Sequence, residues 1–206
     1  MGARRGRGEQ RRSALVDAAA ALLLEGGFGA VAHRAVAARA GAPLAATTYY
    51  FSSLDDLVGA ALTSLVDSWL AGAQGVLDRL PERIDDAPTL VGAVVGVVLG
   101  GSDGDDEGAL LTMYERFLQA GRSPHLRSVV TAYGARLDAL LLDLLRRSSP
   151  TADEESVRRV LAALDGTVLR ALAEGRPAVP AATAAVTPLL RLAPSLDESG
   201  PADVRT

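Results

Sequence analysis

The stretch HRAVAARAGAPLAATTYYF, residues 33–51, decides the fold of the N-terminal part of the chain. Pro43 prevents one continuous helix, because it lacks an amide proton and disfavours helical geometry at Ala42. Gly41 stands where a helix would end, since glycine tolerates a positive φ at low cost. The stretch therefore predicts three pieces: a helix over 33–40, a tight turn at 41–43 and a short helix over 44–51.

Small side chains surround this turn. Two short helices joined by a tight turn must cross closely, and alanines at 37, 40, 42 and 45 leave room for that approach. Such a pair is typical of a helix-turn-helix, whose second helix enters the major groove of DNA. A helical corner in an alanine-rich bundle would show the same pattern, so both interpretations stay open on these residues alone.

The two short helices carry side chains suited to DNA. Phenol hydroxyls bind phosphate oxygens, while threonine hydroxyls and alanine or threonine methyls can contact base edges. Free amides and the helix dipole favour a phosphate at the start of the first short helix. The candidate DNA contacts are His33, Arg34, Ala45, Ala46, Thr47, Thr48, Tyr49 and Tyr50. A place in the core is an equal alternative for Thr47, and Phe51 is expected in the core.

Charge is distributed unevenly along the 206 residues, whose net charge is −4. Residues 1–51 contain seven arginines and three acids, whereas residues 52–206 contain fourteen arginines and twenty-two acids. This asymmetry indicates a small basic module that meets an anion, joined to an acidic body. A basic tail without further role is the alternative. Residues 1–8 are expected to form a basic flexible arm, and residues 195–206 a flexible tail.

Helical segments account for the rest of the chain. Glycine and proline clusters separate segments of helical length, and no alternating pattern bounded by turns predicts a strand. Ser53, Ser123-Pro124 and Asp153 predict three helix starts, and a last helix is expected near 180–193. The predicted class is all-α, with a three-helix helix-turn-helix domain over 9–52 and a larger helical domain over 53–194.

Composition and motifs exclude several function classes. The chain has no cysteine and no lysine, and its two histidines are His33 and His125. Thiol chemistry is therefore excluded, and no metal-ligand spacing or nucleophile motif is present. We predict no enzyme activity, no metal and no cofactor. The apolar run over 90–101 is shorter than the roughly 20 residues of a membrane span, and no secretory signal core follows the basic N-terminus. A soluble cytoplasmic protein is expected.

Residues 12–62 resemble the DNA-binding domain of the TetR family of transcriptional repressors. The resemblance rests on Glu25-Gly26-Gly27-Phe28 after the first helix, on Val36-Ala37 and Ala40-Gly41, and on Tyr49-Tyr50 followed by Leu57. It implies an all-helical homodimer with a C-terminal ligand-binding domain whose effector releases DNA. It also implies that His33, Arg34, Thr48, Tyr49 and Tyr50 lie at or near the DNA.

Two positions depart from the family pattern. Leu54 stands where members commonly have a lysine that contacts phosphate, and Thr48 stands where a tyrosine is usual. Both changes remove contacts with the DNA backbone. The arginine-rich segment 4–12 is expected to compensate for them.

The resemblance implies a dimer and a ligand site in the remaining 150 or so residues. Segments 153–174 and 180–193 are expected to form the homodimer interface, with ordinary packing inside one chain as the alternative. A two-fold dimer would bind double-stranded DNA at a palindromic operator. The candidate ligand contacts are Trp69, Met113, Tyr114, Phe117 and Tyr133, each of which could equally be core.

Two smaller features bear on the ligand site. Gly92, Gly96 and Gly100 leave one helix face without side chains, which makes room either for a ligand or for a close neighbouring helix. Glu115 or Arg116, if buried beside the aromatic residues, would indicate a charged ligand. The expected function is a repressor released by an unknown small-molecule effector. The alternative is a DNA-binding module controlled by a protein partner, or an architectural one, without such an effector.

Overall fold

A computed structural model describes residues 2–99 and 107–190 of the chain. These residues form nine α-helices and two 3₁₀ turns, and none of them is in a strand. The all-α prediction is confirmed. The helices are α1 Gly2–Gly26, α2 His33–Arg39, α3 Leu44–Tyr50, α4 Leu54–Asp78, α5 Ala87–Val98, α6 Glu107–Gly121, α7 Arg127–Ser148, α8 Glu154–Ala173 and α9 Ala178–Leu190.

The predicted helix starts are close to the observed ones. The Ser53 hydroxyl accepts a hydrogen bond from the Asp56 amide at 3.0 Å, and this caps α4. The Asp153 carboxylate accepts from the Ser156 amide at 2.9 Å and caps α8 in the same way. After Ser123 the chain first makes a 3₁₀ turn, Pro124–Leu126, and α7 begins only at Arg127.

The N-terminal helix is longer than the sequence suggested. It begins at Gly2, so residues 2–8, expected to be a flexible arm, continue the helical backbone of α1. Arginine is a good helix former, which offsets the low helix propensity of the glycines in this segment. The predicted tail over 195–206 and the acidic stretch over 101–106 lie outside the described residues.

Two hydrophobic clusters form the interior. The N-terminal cluster contains Leu15, Leu23, Val36 and Leu57, and it joins α1 to α2 and to the first half of α4. The C-terminal cluster contains residues from every helix from α4 through α9 and consists mainly of leucine and valine. Three half-buried aromatic residues pack against both clusters: Trp69, Phe117 and Tyr133. The boundary between the two parts of the protein is therefore aromatic.

Helix α4 belongs to both parts. Its first half contributes residues such as Leu62 and Val66 to the N-terminal cluster, and its second half contributes Leu70 and Leu77 to the C-terminal cluster.

In the described ranges, no helix combines the length and the apolar character that crossing a membrane requires.

Candidate DNA-binding surface and ligand site

The turn between α2 and α3 has the geometry that the sequence predicts. Gly41 has a φ of +60°, the left-handed conformation that favours glycine. The Ala42 amide donates to the Ala37 carbonyl at 2.9 Å, and the Gly41 amide donates to the Ala38 carbonyl at 3.3 Å. These two bonds end α2 in a Schellman motif. Pro43 then caps α3 in an extended conformation.

Helix α3 has one outer and one inner face. Leu44 is 53% exposed and Tyr49 is 81% exposed, and Ala45 and Thr48 are exposed as well. These four residues recur at the one- and four-residue spacing of a single helix face. They form the outer face of α3, which is available to DNA. Leu44 was not among the sequence candidates, although its place at the start of α3 could have indicated it.

Thr47 is on the inner face. Its side chain is completely buried, and its hydroxyl donates to the Leu44 carbonyl at 2.8 Å. The prediction that Thr47 contacts DNA is therefore wrong, and the alternative of a core position is correct. Phe51 is buried as expected.

Ala46 and Tyr50 are half-buried and pack against the N-terminal cluster. The Tyr50 hydroxyl lies beside α1, where a Cβ added to Gly8 would be 3.8 Å from it. The Tyr49 and Tyr50 rings meet edge to face, with 4.9 Å between their centroids. Of the two tyrosines, Tyr49 has the hydroxyl better placed for a phosphate.

At the N-terminus of α2, Arg34 is exposed and His33 is half-buried. Ala32 precedes the helix and provides no side-chain cap, so amides of the first turn remain available to an anion. Nδ1 of His33 is buried and has no hydrogen-bond partner among the described residues.

An open groove runs between the first part of α1 and the helix-turn-helix. It has a volume of about 710 Å³, and its lining includes Arg7 and Arg11 from α1 together with Tyr49 and Tyr50 from α3. The exposed side chain of Arg11 therefore lies along the same groove as the outer tyrosine of α3.

Two other arginines of the basic region make contacts within the N-terminal part. Arg39 forms two hydrogen bonds with the Glu25 carboxylate, at 2.6 and 2.7 Å. The Arg12 guanidinium lies over the Phe51 ring, 5.1 Å from its centroid. Counting charges in the sequence could not show that Arg39 and Arg12 make contacts within the protein, in contrast to the candidate DNA contacts Arg34 and Arg11.

The predicted ligand residues divide into three groups. Trp69, Phe117 and Tyr133 pack together, with ring centroids 4.8 to 6.5 Å apart, and we call these three residues the aromatic cluster. They come from α4, α6 and α7, respectively. Tyr114 is half-buried nearby in the C-terminal cluster, whereas Met113 is fully packed in that core.

Asp165 on α8 joins this region. The Tyr114 hydroxyl donates to Oδ1 of Asp165 at 2.9 Å. Burial, reinforced by the charge of Asp165, raises the pKa of Tyr133 to about 12 and raises that of Tyr114 further. Burial also raises the pKa of Asp165, against the effect of the Tyr114 hydrogen bond. The residue is nevertheless exposed to solvent. The sequence did not indicate Asp165, because an acid between Leu164 and Gly166 looks like an ordinary surface residue.

The comparisons with known proteins agree with this geometry. Residues 15–61 match the family model described as bacterial regulatory proteins, tetR family. Residues 85–192, more than half of the chain, match the model described as tetracyclin repressor-like, C-terminal domain. The chain belongs to the TetR family. Members of this family are transcriptional regulators rather than enzymes.

Two proteins similar to this TetR-family regulator have names that state what they bind or respond to. The HTH-type nicotine-responsive transcriptional repressor HdnoR of Paenarthrobacter nicotinovorans is 27% identical over 169 residues, which span 80% of this chain and 84% of HdnoR. The multidrug binding protein EbrR complexed with proflavin is 33% identical, with a TM-score of 0.65, and the match covers 87% of this chain and 99% of EbrR. EbrR complexes with ethidium, malachite green and imidazole match with TM-scores of 0.63 to 0.67 and 29 to 32% identity.

Arg116 links the two parts of this TetR-family chain. It is buried, and its guanidinium donates to the carbonyls of Leu23 at 2.8 Å and Leu24 at 3.3 Å, near the end of α1. Its remaining nitrogen bonds the Gln119 amide oxygen at 3.0 Å. Of the pair Glu115 and Arg116, the arginine is thus the buried one. It faces α1, so its burial does not indicate a charged ligand.

The glycine stripe and a second cavity complete this part of the fold. A Cβ at Gly96 would lie 3.5 Å from Val76, so that part of the stripe is used for close packing of α5 on α4. Gly92 is exposed, and Gly100 lies outside the described residues. A cavity of about 260 Å³ between α7, α8 and α9 is lined by Leu145, Arg159 and their neighbours. It contains none of the predicted ligand residues.

Helices α8 and α9 pack on each other and retain exposed apolar side chains. Leu169 is 43% exposed and Leu189 is 37% exposed. Ala182 is fully buried inside the chain, whereas Ala184 is exposed. The expected dimer helices therefore use part of their apolar surface internally and leave another part uncovered.

Proposed function

We propose that the protein is a cytoplasmic transcriptional repressor that binds a palindromic operator as a homodimer and releases it when a small molecule binds. Helices α1 to α3 bind the DNA, and the helical remainder binds the ligand and the second copy. The observation that carries this proposal is the outer face of α3, whose polar and methyl groups are exposed beside the arginines of α1.

DNA binding is supported by how the exposed groups are divided. The outer face of α3 offers methyls and the Thr48 hydroxyl to base edges. Tyr49 on that face, Arg11 in the groove beside it and Arg34 at the start of α2 are exposed groups that suit phosphates. Thr47 is buried in the core, so specificity is carried by Leu44, Ala45 and Thr48.

Dimerisation is supported by α8 and α9. Leu169 and Leu189 are large apolar residues exposed on these two helices. Covering them with the same helices of a second copy gives a two-fold interface. The two recognition helices would then meet inverted repeats on DNA.

Ligand response is supported by the position of the aromatic cluster. It packs against both hydrophobic clusters, so a molecule bound there would contact the part that holds the DNA-binding helices. EbrR is complexed with aromatic dyes, and HdnoR is nicotine-responsive. An aromatic small molecule is therefore the proposed effector class.

The test is binding of the purified protein to the DNA upstream of its own gene, followed by fluorescence anisotropy. We expect a complex with an even number of chains that malachite green dissociates. A Tyr133→Leu variant should need several times more dye, which separates binding of the dye to the protein from any effect of the dye on DNA. Absence of a complex would contradict DNA binding. Equal dye sensitivity of the two proteins would contradict the ligand site.

A further inference from the structure

We propose that the effector is an aromatic cation, held by the aromatic cluster on one side and by the Asp165 carboxylate on the other. This inference rests on the proposed function and adds the charge of the ligand and the residue that selects it. Three features of the molecule support it: the contacts of Asp165, its lack of an ionic partner among the described residues, and the exposure of the aromatic cluster.

The contacts of Asp165 place a negative charge beside aromatic rings. Oδ1 is fixed by the Tyr114 hydroxyl at 2.9 Å, and the charge of Asp165 adds to burial in raising the pKa of the Tyr133 phenol. Tyr133 in turn packs on Phe117 at 4.8 Å between ring centroids. Aromatic faces attract cations through the ring quadrupole, and the carboxylate adds a full opposite charge.

Asp165 has no basic partner within the described part of the chain. The ion pairs found there join other acids: Arg136 to Asp67, Arg147 to Asp143, Arg158 and Arg159 to Glu155, and Arg170 and Arg176 to Glu174. Three of these arginines lie on α8 itself, yet each pairs with a glutamate. A carboxylate that is partly desolvated and lacks an arginine partner is suited to a cation that comes from solution.

The cluster is accessible. Each of the three aromatic residues is half-buried, and Asp165 is exposed. The three rings and the carboxylate are therefore each partly open to solvent.

The experiment uses two probes of nearly equal shape, 10-methylacridinium and its uncharged parent acridine, with the full-length protein at pH 7.5 and no DNA. We expect the cation to bind about tenfold or more tightly than acridine. Asp165→Asn should remove this preference, whereas Asp138→Asn, which neutralises an exposed acid on α7, should preserve it. Trp69→Leu should weaken the cation several-fold.

Equal affinity for the two probes, or a preference that survives in Asp165→Asn, would overturn the inference. Sedimentation of Asp165→Asn provides a second readout. A changed oligomeric state would show that Asp165 serves contacts between chains, and this too would overturn it. The proposed function is tested separately: DNA release by uncharged ligands alone would contradict only the cation site, and cation binding without DNA binding would contradict only the repressor.

The pH dependence of cation binding gives an independent check. Burial raises the pKa of Asp165 above its usual range. The titratable groups that face it in the described structure are Tyr114 and Tyr133. Phenols are ordinarily neutral at and below neutral pH, and the raised pKa values of these two move their ionisation still further from that range. As the pH falls through the pKa of Asp165, the carboxylate takes up a proton and the attraction disappears. Affinity for 10-methylacridinium should fall on acidification in the wild type and not in Asp165→Asn; parallel curves would contradict the assignment.

Discussion

Tyr49 and Tyr50 are neighbours with different surroundings, and the structure predicts different roles for their hydroxyls. Tyr49 is almost fully exposed on the outer face of α3, whereas the Tyr50 hydroxyl lies next to Gly8 of α1. Tyr49→Phe should weaken operator binding by about 1 kcal/mol, the usual contribution of one hydrogen bond. Tyr50→Phe should change it by much less. Anisotropy titrations at one salt concentration measure both, and the reverse order would contradict the assignment.

Thr47 and Leu44 allow stability to be separated from specificity. Thr47→Val keeps the volume and removes the hydrogen bond to the Leu44 carbonyl, so it should lower the free energy of unfolding by about 1 kcal/mol and leave base preference unchanged. Leu44→Ala should instead alter the preference at one base pair, because an exposed apolar side chain can contact a thymine methyl. Urea unfolding and competition between operator variants are the measurements. A changed base preference in Thr47→Val would contradict the buried position.

The faces of α3 were only partly predictable from the sequence. Helical spacing places Leu44, Ala45, Thr48 and Tyr49 on one face, and that much could have been read beforehand. Which face turns inward depends on how α3 packs on α2 and on the N-terminal cluster, a tertiary contact. Asp165 illustrates the same limit more strongly, because its aromatic neighbours are more than thirty residues away in sequence.

At the scale of elements, Arg116 joins α6 to α1 through hydrogen bonds from its guanidinium to carbonyls near the end of α1. Its removal would take away the side-chain donors to the buried Leu23 carbonyl and the partly buried Leu24 carbonyl. Arg116→Met should therefore reduce the free energy of unfolding by about 1–3 kcal/mol. Arg122→Met is the matched control, the same substitution at an exposed arginine just after α6, and it should have little effect. Chemical denaturation of both variants checks this, and equal stability would contradict the role of Arg116.

Helix starts were predictable where a local capping group decides them. Ser53 and Asp153 hydrogen-bond amides three residues ahead, a relation contained in the sequence itself. The start of α1 was not predictable in this way. The glycines and arginines of 2–8 suggested an arm, whereas the structure continues the helix to Gly2. Met1, which precedes Gly2, is not one of the residue types that cap helices, so helix propensity was the remaining guide.

At the scale of the whole molecule, we expect the basic N-terminus to bind DNA and the acidic body to bind the ligand. Removing residues 2–8 takes away Arg4, Arg5 and Arg7. Operator binding should become weaker, and the slope of log affinity against log salt should become shallower by about 0.9 for each phosphate that these arginines neutralise. Ligand binding should be unaffected, which is the control. An unchanged slope would show that this segment of α1 does not contact DNA.

The central claim is that two copies of α3 contact DNA through a two-fold dimer, and selection from a random duplex library tests it most directly. We expect enrichment of an inverted repeat whose half-sites are spaced by about one helical turn, roughly 10 base pairs, or a multiple of it. Each bound DNA should carry an even number of chains. Enrichment of a single asymmetric site occupied by one chain, or of no sequence at all, would contradict the two-fold arrangement.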